Sequence, residues 1–493
     1  MKHRRDIEGL RAVAVIAVLL FHFGVPGTDG GFIGVDVFFV ISGFLITSLL
    51  VAERTGSGRI SLLDFYTRRI RRLLPISATV LTATALAAAM WLEPTRLADL
   101  ARDIRAAATF TVNMVFAGRG TDYLGAELPP SPIQHYWSLA VEEQFYMVWP
   151  VLIAAVTIGA RNVRARVAAT MLVVVVLSLS MSVVLTGSHP SWSFFGLHTR
   201  AWELGVGSLL AVVSRGIRRV PEERRVLMSW SGLAVIVICT MTFGNVTGFP
   251  GWIALVPVLA TGAVLLGGDE SPRGPVRLLG HPFMQWVGQR SYSLYLWHWP
   301  ALIIAEAHAG DELTVMQRLA VLSITVGLAD LGHRFIENPI RRSSTLTVNS
   351  RASLVVGAGL VVMGVGTGAV LAAYDPDVST GVIASAPTFA PVTTASASSA
   401  SSSTVTASTS PTPTTTTIAP APVDYISMQG TAPIQAIVDS VANQVVPDNL
   451  EPPLLSAQYD TSVVYENGCH QYYDSEVKAD CVFGDPNGAI TIA

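Results

Sequence analysis

The chain has 493 residues, 51% of them hydrophobic and only 14% charged, with a formal net charge of −3 at pH 7. Soluble domains carry roughly 25% charged residues, so an ordinary soluble enzyme is excluded, and so is disorder along the whole chain. A pI near 6.4 gives no footprint for nucleic acid, and three cysteines are too few for a disulfide scaffold or a zinc array.

Apolar segments recur near 9–25, 32–52, 73–92, 139–158, 168–186, 200–214, 229–245, 251–267, 290–307, 315–334 and 353–373. Each approaches the ~20 residues that carry a helix across a ~30 Å hydrocarbon core. The first is no cleavable signal: it lacks a small-residue cleavage site and a second span follows. Residues 101–117 are a twelfth candidate. If the N-terminus is cytoplasmic and this segment does not cross, the arginine-rich loops 68–72, 161–166, 215–225 and 334–342 all fall inside. The segment therefore reads as an amphipathic or re-entrant helix on the outer side. The expected fold is an all-α polytopic membrane protein, a ten-helix core bundle plus an eleventh transmembrane helix.

Four regions follow: a membrane domain over 1–342, the eleventh helix with its flank over 343–374, a linker over 375–422 and a small segment over 423–493. The linker is almost wholly Ser, Thr, Ala, Pro and Val, which cannot bury a core and predicts an extended, disordered chain. By the same topology the linker and tail are extracytoplasmic. Cys469 and Cys481 in the tail are an expected disulfide in that compartment, whereas Cys239, inside a span, reads as packing.

Ionisable groups inside a bilayer cost about 2.5–3.5 kcal/mol each even on insertion scales, so their positions invite a functional reading. Arg11 and His22 are eleven residues apart in the first span, about three helical turns and roughly 16 Å along one face. His22 is either a catalytic group near mid-membrane or a histidine bonded to a neighbouring helix. Asp36, in GGFIGVDVFFVISGFLIT, either orients His22 as a carboxylate orients a catalytic imidazole or meets a helix dipole at the interface. Gly34 and Gly43 of the same segment permit close helix approach. Arg68, Arg69, Arg71 and Arg72 form either a topology and anionic-lipid signal or a phosphate clamp.

Three further clusters mark a polar interior. HYWSLAVEEQFY contributes His135, Trp137, Glu142 and Glu143; HTRAWELGVG places Arg200 and Glu203 as i,i+3 partners; SYSLYLWHWP contributes Tyr295 and His298, with Ser291 on the face of His298. Ser42 in the second span and Glu337 in RFIENPIR complete the candidate set. No metal-ligand spacing is present. This pattern fits an enzyme or a transporter, and the residues alone leave both open.

In order along 5–342, RDIEGLRAVAVIAVLLFHF, GGFIGVDVFFVISGFLIT, RRIRRLLP, HYWSLAVEEQFY, TRAWELGVGSLLA, SYSLYLWHWP and RFIENPIR resemble the successive signatures of the membrane-bound acyltransferase-3 family. The resemblance implies ten core spans and transfer of an acyl group, commonly acetyl, from cytoplasmic acyl-CoA to an extracytoplasmic glycan or glycolipid hydroxyl. It implies no permanently bound cofactor and no nucleic acid, with membrane lipids, the acyl-CoA donor and the glycan as partners, in a bacterial plasma membrane. By motif, His22 matches the catalytic histidine, as general base or as transient acyl carrier, and Arg11 its partner. Arg69 and Arg72 match an arginine pair implicated with CoA, with the register against Arg68 and Arg71 left open. Glu142, Glu143 and Glu337 match acidic positions. The tail resembles the start of the SGNH-type domain of two-domain members, in which a Gly-Asp-Ser serine relays the acyl group. Here Gly484 and Asp485 are followed by Pro486, so no such nucleophile is assignable. The competing class is an exporter of a lipid-linked sugar or other envelope precursor.

Overall fold

The computed structural model describes residues 4–374, apart from 122–128, 218, 245–247, 268–270 and 311 and the side chains at 215 and 217. The expected linker, the tail and the Cys469–Cys481 pair lie outside the described residues. Among the described residues the chain is helical throughout, without strands. The long helices are α1 (Arg5–His22), α2 (Gly34–Ser57) and α3 (Leu62–Trp91), followed by the short α4 (Leu97–Ala108) and α5 (Val112–Gly118). Then come α6 (Tyr136–Val156), α7 (Val163–Ser188), α8 (Pro190–Phe195), α9 (Leu197–Ile217), α10 (Glu222–Thr242) and α11 (Leu255–Gly267). The chain continues through α12 (Val276–Leu279), α13 (Pro282–Ala309), α14 (Val315–Gly332), α15 (Asn338–Arg342), α16 (Ser344–Val348) and α17 (Ser350–Ala372).

Among the described residues seven helical stretches are long and apolar enough to cross a membrane: 31–57, 62–91, 136–156, 163–188, 222–242, 315–342 and 350–372. This is a multi-pass membrane protein. The other four expected spans are also helices, α1, α9, α11 and α13, and physical reasons keep them below that apolar threshold. Three carry buried charge or histidine, including Asp6, Arg200, Glu203, Arg290 and His298, and α11 has only 13 residues. Polar helices are tolerated where neighbouring protein replaces lipid. α1 accordingly packs between α13 and α2, with Leu10, Ala12, Ala14, Val15 and Val18 fully buried.

Outward from this centre, α2 packs on α9 and α9 on α7, while α13 carries α14 and α3 carries α17 and α4. Outer helices show one narrow buried stripe each. In α7 it is Val167, Met171, Ser178 and Ser182; in α17 it is Ser353, Gly357, Gly364, Gly368 and Leu371. That spacing is one face of a helix whose remainder meets lipid. Without a hydrophobic drive between helices in lipid, small residues set the contacts. A Cβ on Gly43 would lie 1.9 Å from the Leu204 carbonyl oxygen, and one on Gly207 2.0 Å from that of Val40. The α2–α9 crossing thus depends on bare backbone at both positions.

Residues 101–117 do not form one continuous helix. α4, of 12 residues, and α5, of seven, are each too short to span the bilayer. Between them Phe110 adopts φ 55°, a left-handed conformation disfavoured for a non-glycine residue. Gln144 of α6 holds the break: its amide donates to the Phe110 carbonyl at 2.8 Å and to Asn113 Oδ1 at 2.9 Å.

Candidate active site

Two neighbouring cavities that share part of their lining enter the bundle. The inner one, about 80 Å³, is lined by Arg11 of α1, Arg69 and Arg72 of α3, Glu142 and Glu143 of α6, and Ser42 of α2. Tyrosines 146, 292 and 295 and serines 138 and 291 add hydroxyls to its wall, and the Phe110 side chain at the α4–α5 break lines it too. The second, about 490 Å³, sets Arg4, Arg11, Arg72, Arg341 and Arg342 against Glu8 and Glu337. Arg11 and Arg72 line both cavities, together with Leu45, and so mark the junction.

Helix phase sorts the arginine cluster. Arg69 and Arg72, three apart, reach the cavity. The Arg69 guanidinium lies 4.5 Å from the Tyr146 ring centre, a cation–π contact. Arg72 Nε is buried without a hydrogen-bond partner among the described residues. Arg68 and Arg71 do not line this cavity, so of the two registers left open the structure brings Arg69 and Arg72 to it. Arg68, half exposed, lies 3.9 Å from Glu53. Arg71 donates to the Leu346 carbonyl at 2.6 Å and to Ser353 Oγ at 3.0 Å, fastening α3 to the α16–α17 segment.

The acidic pair is held from two sides. Glu142 accepts hydrogen bonds from the Ser42 and Tyr146 hydroxyls, while Glu143 lines the same cavity. Arg11 donates to Glu8 at 3.1 Å. Glu337 belongs to the second cavity, where His333 Nδ1 lies 3.0 Å and Arg341 3.5 Å away.

Asp36 does not orient His22. It faces α9, where Arg200 donates to it at 3.1 Å, and Arg200 also lies 3.1 Å from Glu203. All three side chains are at most 1% exposed. The guanidinium sits 5.5–5.7 Å from the ring centres of Phe39, Trp137, Phe194 and Phe249. The expected i,i+3 pair is present, with Asp36 as its third member and Trp137 in its aromatic cage.

His22 instead meets His298 of α13: His22 Nδ1 and His298 Nε2 are 3.0 Å apart. The rings stack with centres 5.1 Å apart and planes 20° from parallel, and Trp299 packs on His22 at 4.5 Å. His135, just before α6, stands edge-on to His298 at 5.4 Å. Between this histidine cluster and the cavity stands Tyr295, whose hydroxyl is 2.6 Å from Ser138 Oγ and donates to the His135 carbonyl at 3.1 Å. The His22–His298 contact escapes sequence reasoning because 276 residues separate the pair. Among the described residues no group of three His, Cys, Asp or Glu side chains is arranged to hold a metal.

The acyltransferase domain family matches residues 4–334, which contain every candidate residue above except Glu337 and the arginines beyond it. The chain belongs to this acyltransferase family. It is 31% identical over 360 residues to the peptidoglycan O-acetyltransferase OatA of Listeria monocytogenes, covering 69% of this chain and 56% of that protein. It is 33% identical over 355 residues to the "Putative peptidoglycan O-acetyltransferase YrhL" of Bacillus subtilis, with the same two coverages. The matched part is therefore only about half the length of these relatives. No solved structure matches the acyltransferase chain.

Proposed function

We propose that the chain is an integral-membrane O-acetyltransferase that takes an acetyl group from acyl-CoA on the cytoplasmic side and delivers it to a hydroxyl of an extracytoplasmic envelope glycan, of the peptidoglycan class named for its relatives. The observation that carries the reading is the pair of cavities meeting at Arg11 and Arg72 and running to Tyr295, beside the His22–His298 pair. Five arginines against two glutamates in the second cavity suit a nucleotide bearing several phosphates, since guanidinium binds phosphate through a planar fork. The narrower inner cavity suits a flexible thioester arm.

His22 acts as general base. The acceptor hydroxyl gives its proton to the imidazole as its oxygen attacks the thioester carbonyl. The tetrahedral intermediate then expels the CoA thiolate, which recovers that proton from the imidazolium. Atoms balance as ester plus CoA thiol, with no further reactant. The acetyl group thus passes from donor to acceptor without needing the carboxylates as nucleophiles. Glu142 and Glu143 line the same cavity as the three arginines and offset part of the positive charge there.

Acetyl-CoA binding to the purified chain in nanodiscs tests the reading. Replacing Arg69 and Arg72 together by alanine should raise the dissociation constant at least ~100-fold, since two charge-assisted contacts of about 1.5–3 kcal/mol each are lost. Lysine at both positions should recover only part of the affinity, because it keeps charge and loses the fork. Unchanged affinity in the double alanine variant would refute the donor site.

A further inference from the structure

The hydrogen-bond chain behind His22 fixes where its proton sits. His298 Nδ1 lies 2.6 Å from the Tyr295 carbonyl oxygen. A carbonyl only accepts, so the His298 proton is on Nδ1, and a neutral imidazole so protonated carries its lone pair on Nε2. That nitrogen is 3.0 Å from His22 Nδ1. His22 must therefore donate from Nδ1, which makes Nε2 its basic nitrogen.

The same logic sets the third ring. Pro300 has no N–H, so the Leu296 carbonyl one turn earlier loses its helical donor. His135 supplies the replacement, its Nε2 at 3.1 Å from that oxygen, and His135 packs edge-on against His298. The break that proline makes in α13 thus anchors one side of the cluster, and the Tyr295 carbonyl anchors the other.

We propose that His298 is the positioning residue of the transfer reaction, holding His22 in the Nδ1–H tautomer with Nε2 presented as base. The proposal rests on the reading of His22 as general base. In the reaction the acceptor proton moves to His22 Nε2 and returns from there to the departing thiolate, while Nδ1–H remains donated to His298 throughout. His298 neither gains nor loses a proton. It does from a neutral ring the work that a carboxylate does in a triad; a carboxylate in its place would be an additional buried charge, which is expensive unless paired. Asp36, the carboxylate the second span offered as a partner for His22, is committed to Arg200.

Two measurements on the purified full chain in nanodiscs decide it. Nitrogen NMR of histidine-labelled protein, with His22→Ala and His298→Leu used to assign the signals, should show His22 protonated at Nδ1. In His298→Leu, which removes the acceptor, the His22 signal should move toward the Nε2–H form. Transfer from radiolabelled acetyl-CoA to isolated peptidoglycan should fall at least ~100-fold in kcat in that variant. The KM for acetyl-CoA should stay put, because His298 does not line the donor cavities. His298→Gln places an amide oxygen where Nε2 was, and should restore kcat to within roughly tenfold of wild type. An Nε2–H His22 in the unmutated protein would overturn the proposal, as would equal losses in the glutamine and leucine variants. Full transfer by His22→Ala would instead refute the general-base reading, and the NMR result would stand apart from it.

Discussion

Replacing Arg200 by methionine removes the cation from a cage that contains two carboxylates. Asp36 and Glu203 each lie 3.1 Å from the guanidinium and are at most 1% exposed. Breaking a buried pair by deleting one partner costs about 3–5 kcal/mol, because the remaining charge stays buried without its counterpart. The four surrounding rings add cation–π attraction of roughly 0.5–2 kcal/mol per contact, which does not sum simply. The expected loss is therefore about 4 kcal/mol or more, a large part of the 5–15 kcal/mol typical of folded proteins. Thermal unfolding of the detergent-solubilised protein should register a fall on the order of 10 °C. The triple variant Arg200→Met, Asp36→Asn, Glu203→Gln should be more stable than the single one, since neutral replacement of a whole buried charge group is often tolerated. An Arg200→Met protein with wild-type unfolding but no transfer would refute the argument and move this network into the chemistry.

His22→Ala should fold and insert normally and lose roughly 10²–10⁴ of transfer rate, read as labelled acetyl on peptidoglycan beside a thermal unfolding scan. Gly43→Ala should destabilise by about 1–3 kcal/mol, because the new Cβ would meet the Leu204 carbonyl oxygen at 1.9 Å; the same change at Gly359, which has open space, should leave unfolding unmoved. A cysteine placed at half-exposed Arg68 should react with an impermeant thiol reagent only from the cytoplasmic side, and one at Thr121 only from outside. Labelling of both from the same side would refute the proposed topology.

What the sequence revealed and what it hid divide along a physical line. Features carried by one helix were legible: the apolar runs became helices at nearly the expected places, and Arg200 with Glu203 formed the i,i+3 pair. Features set by which helix lies next door were not. Asp36 is on α2, which touches both α1 and α9, and only packing could say that its side chain turns to α9. The choice between Arg69 with Arg72 and Arg68 with Arg71 needed the phase of α3 against the cavity. The His22–His298 contact was hidden for the same reason. One local signal did point to the cluster: a proline directly after Trp-His-Trp must leave a carbonyl without its helical donor, and a buried donor must come from elsewhere. The Phe110 break left no comparable trace, since its left-handed backbone is held by Gln144 from another helix.

The arrangement along α1 gives the proposed reaction its direction. Arg11 and His22 lie on one face, eleven residues and so roughly 16 Å apart. Arg11 stands at the junction of the two cavities, and His22 meets a ring cluster beyond Tyr295. A donor gripped at the arginine end by its phosphates can present its thioester to the histidine only by extending an arm through the inner cavity. That passage is walled by Phe38, Phe39, Phe110 and three tyrosines. The proposed reaction thereby keeps the charged groups assigned to binding apart from the imidazole assigned to the chemistry. On the proposal made above, His298, a neutral partner, holds His22 where a carboxylate would have required a second cation of its own.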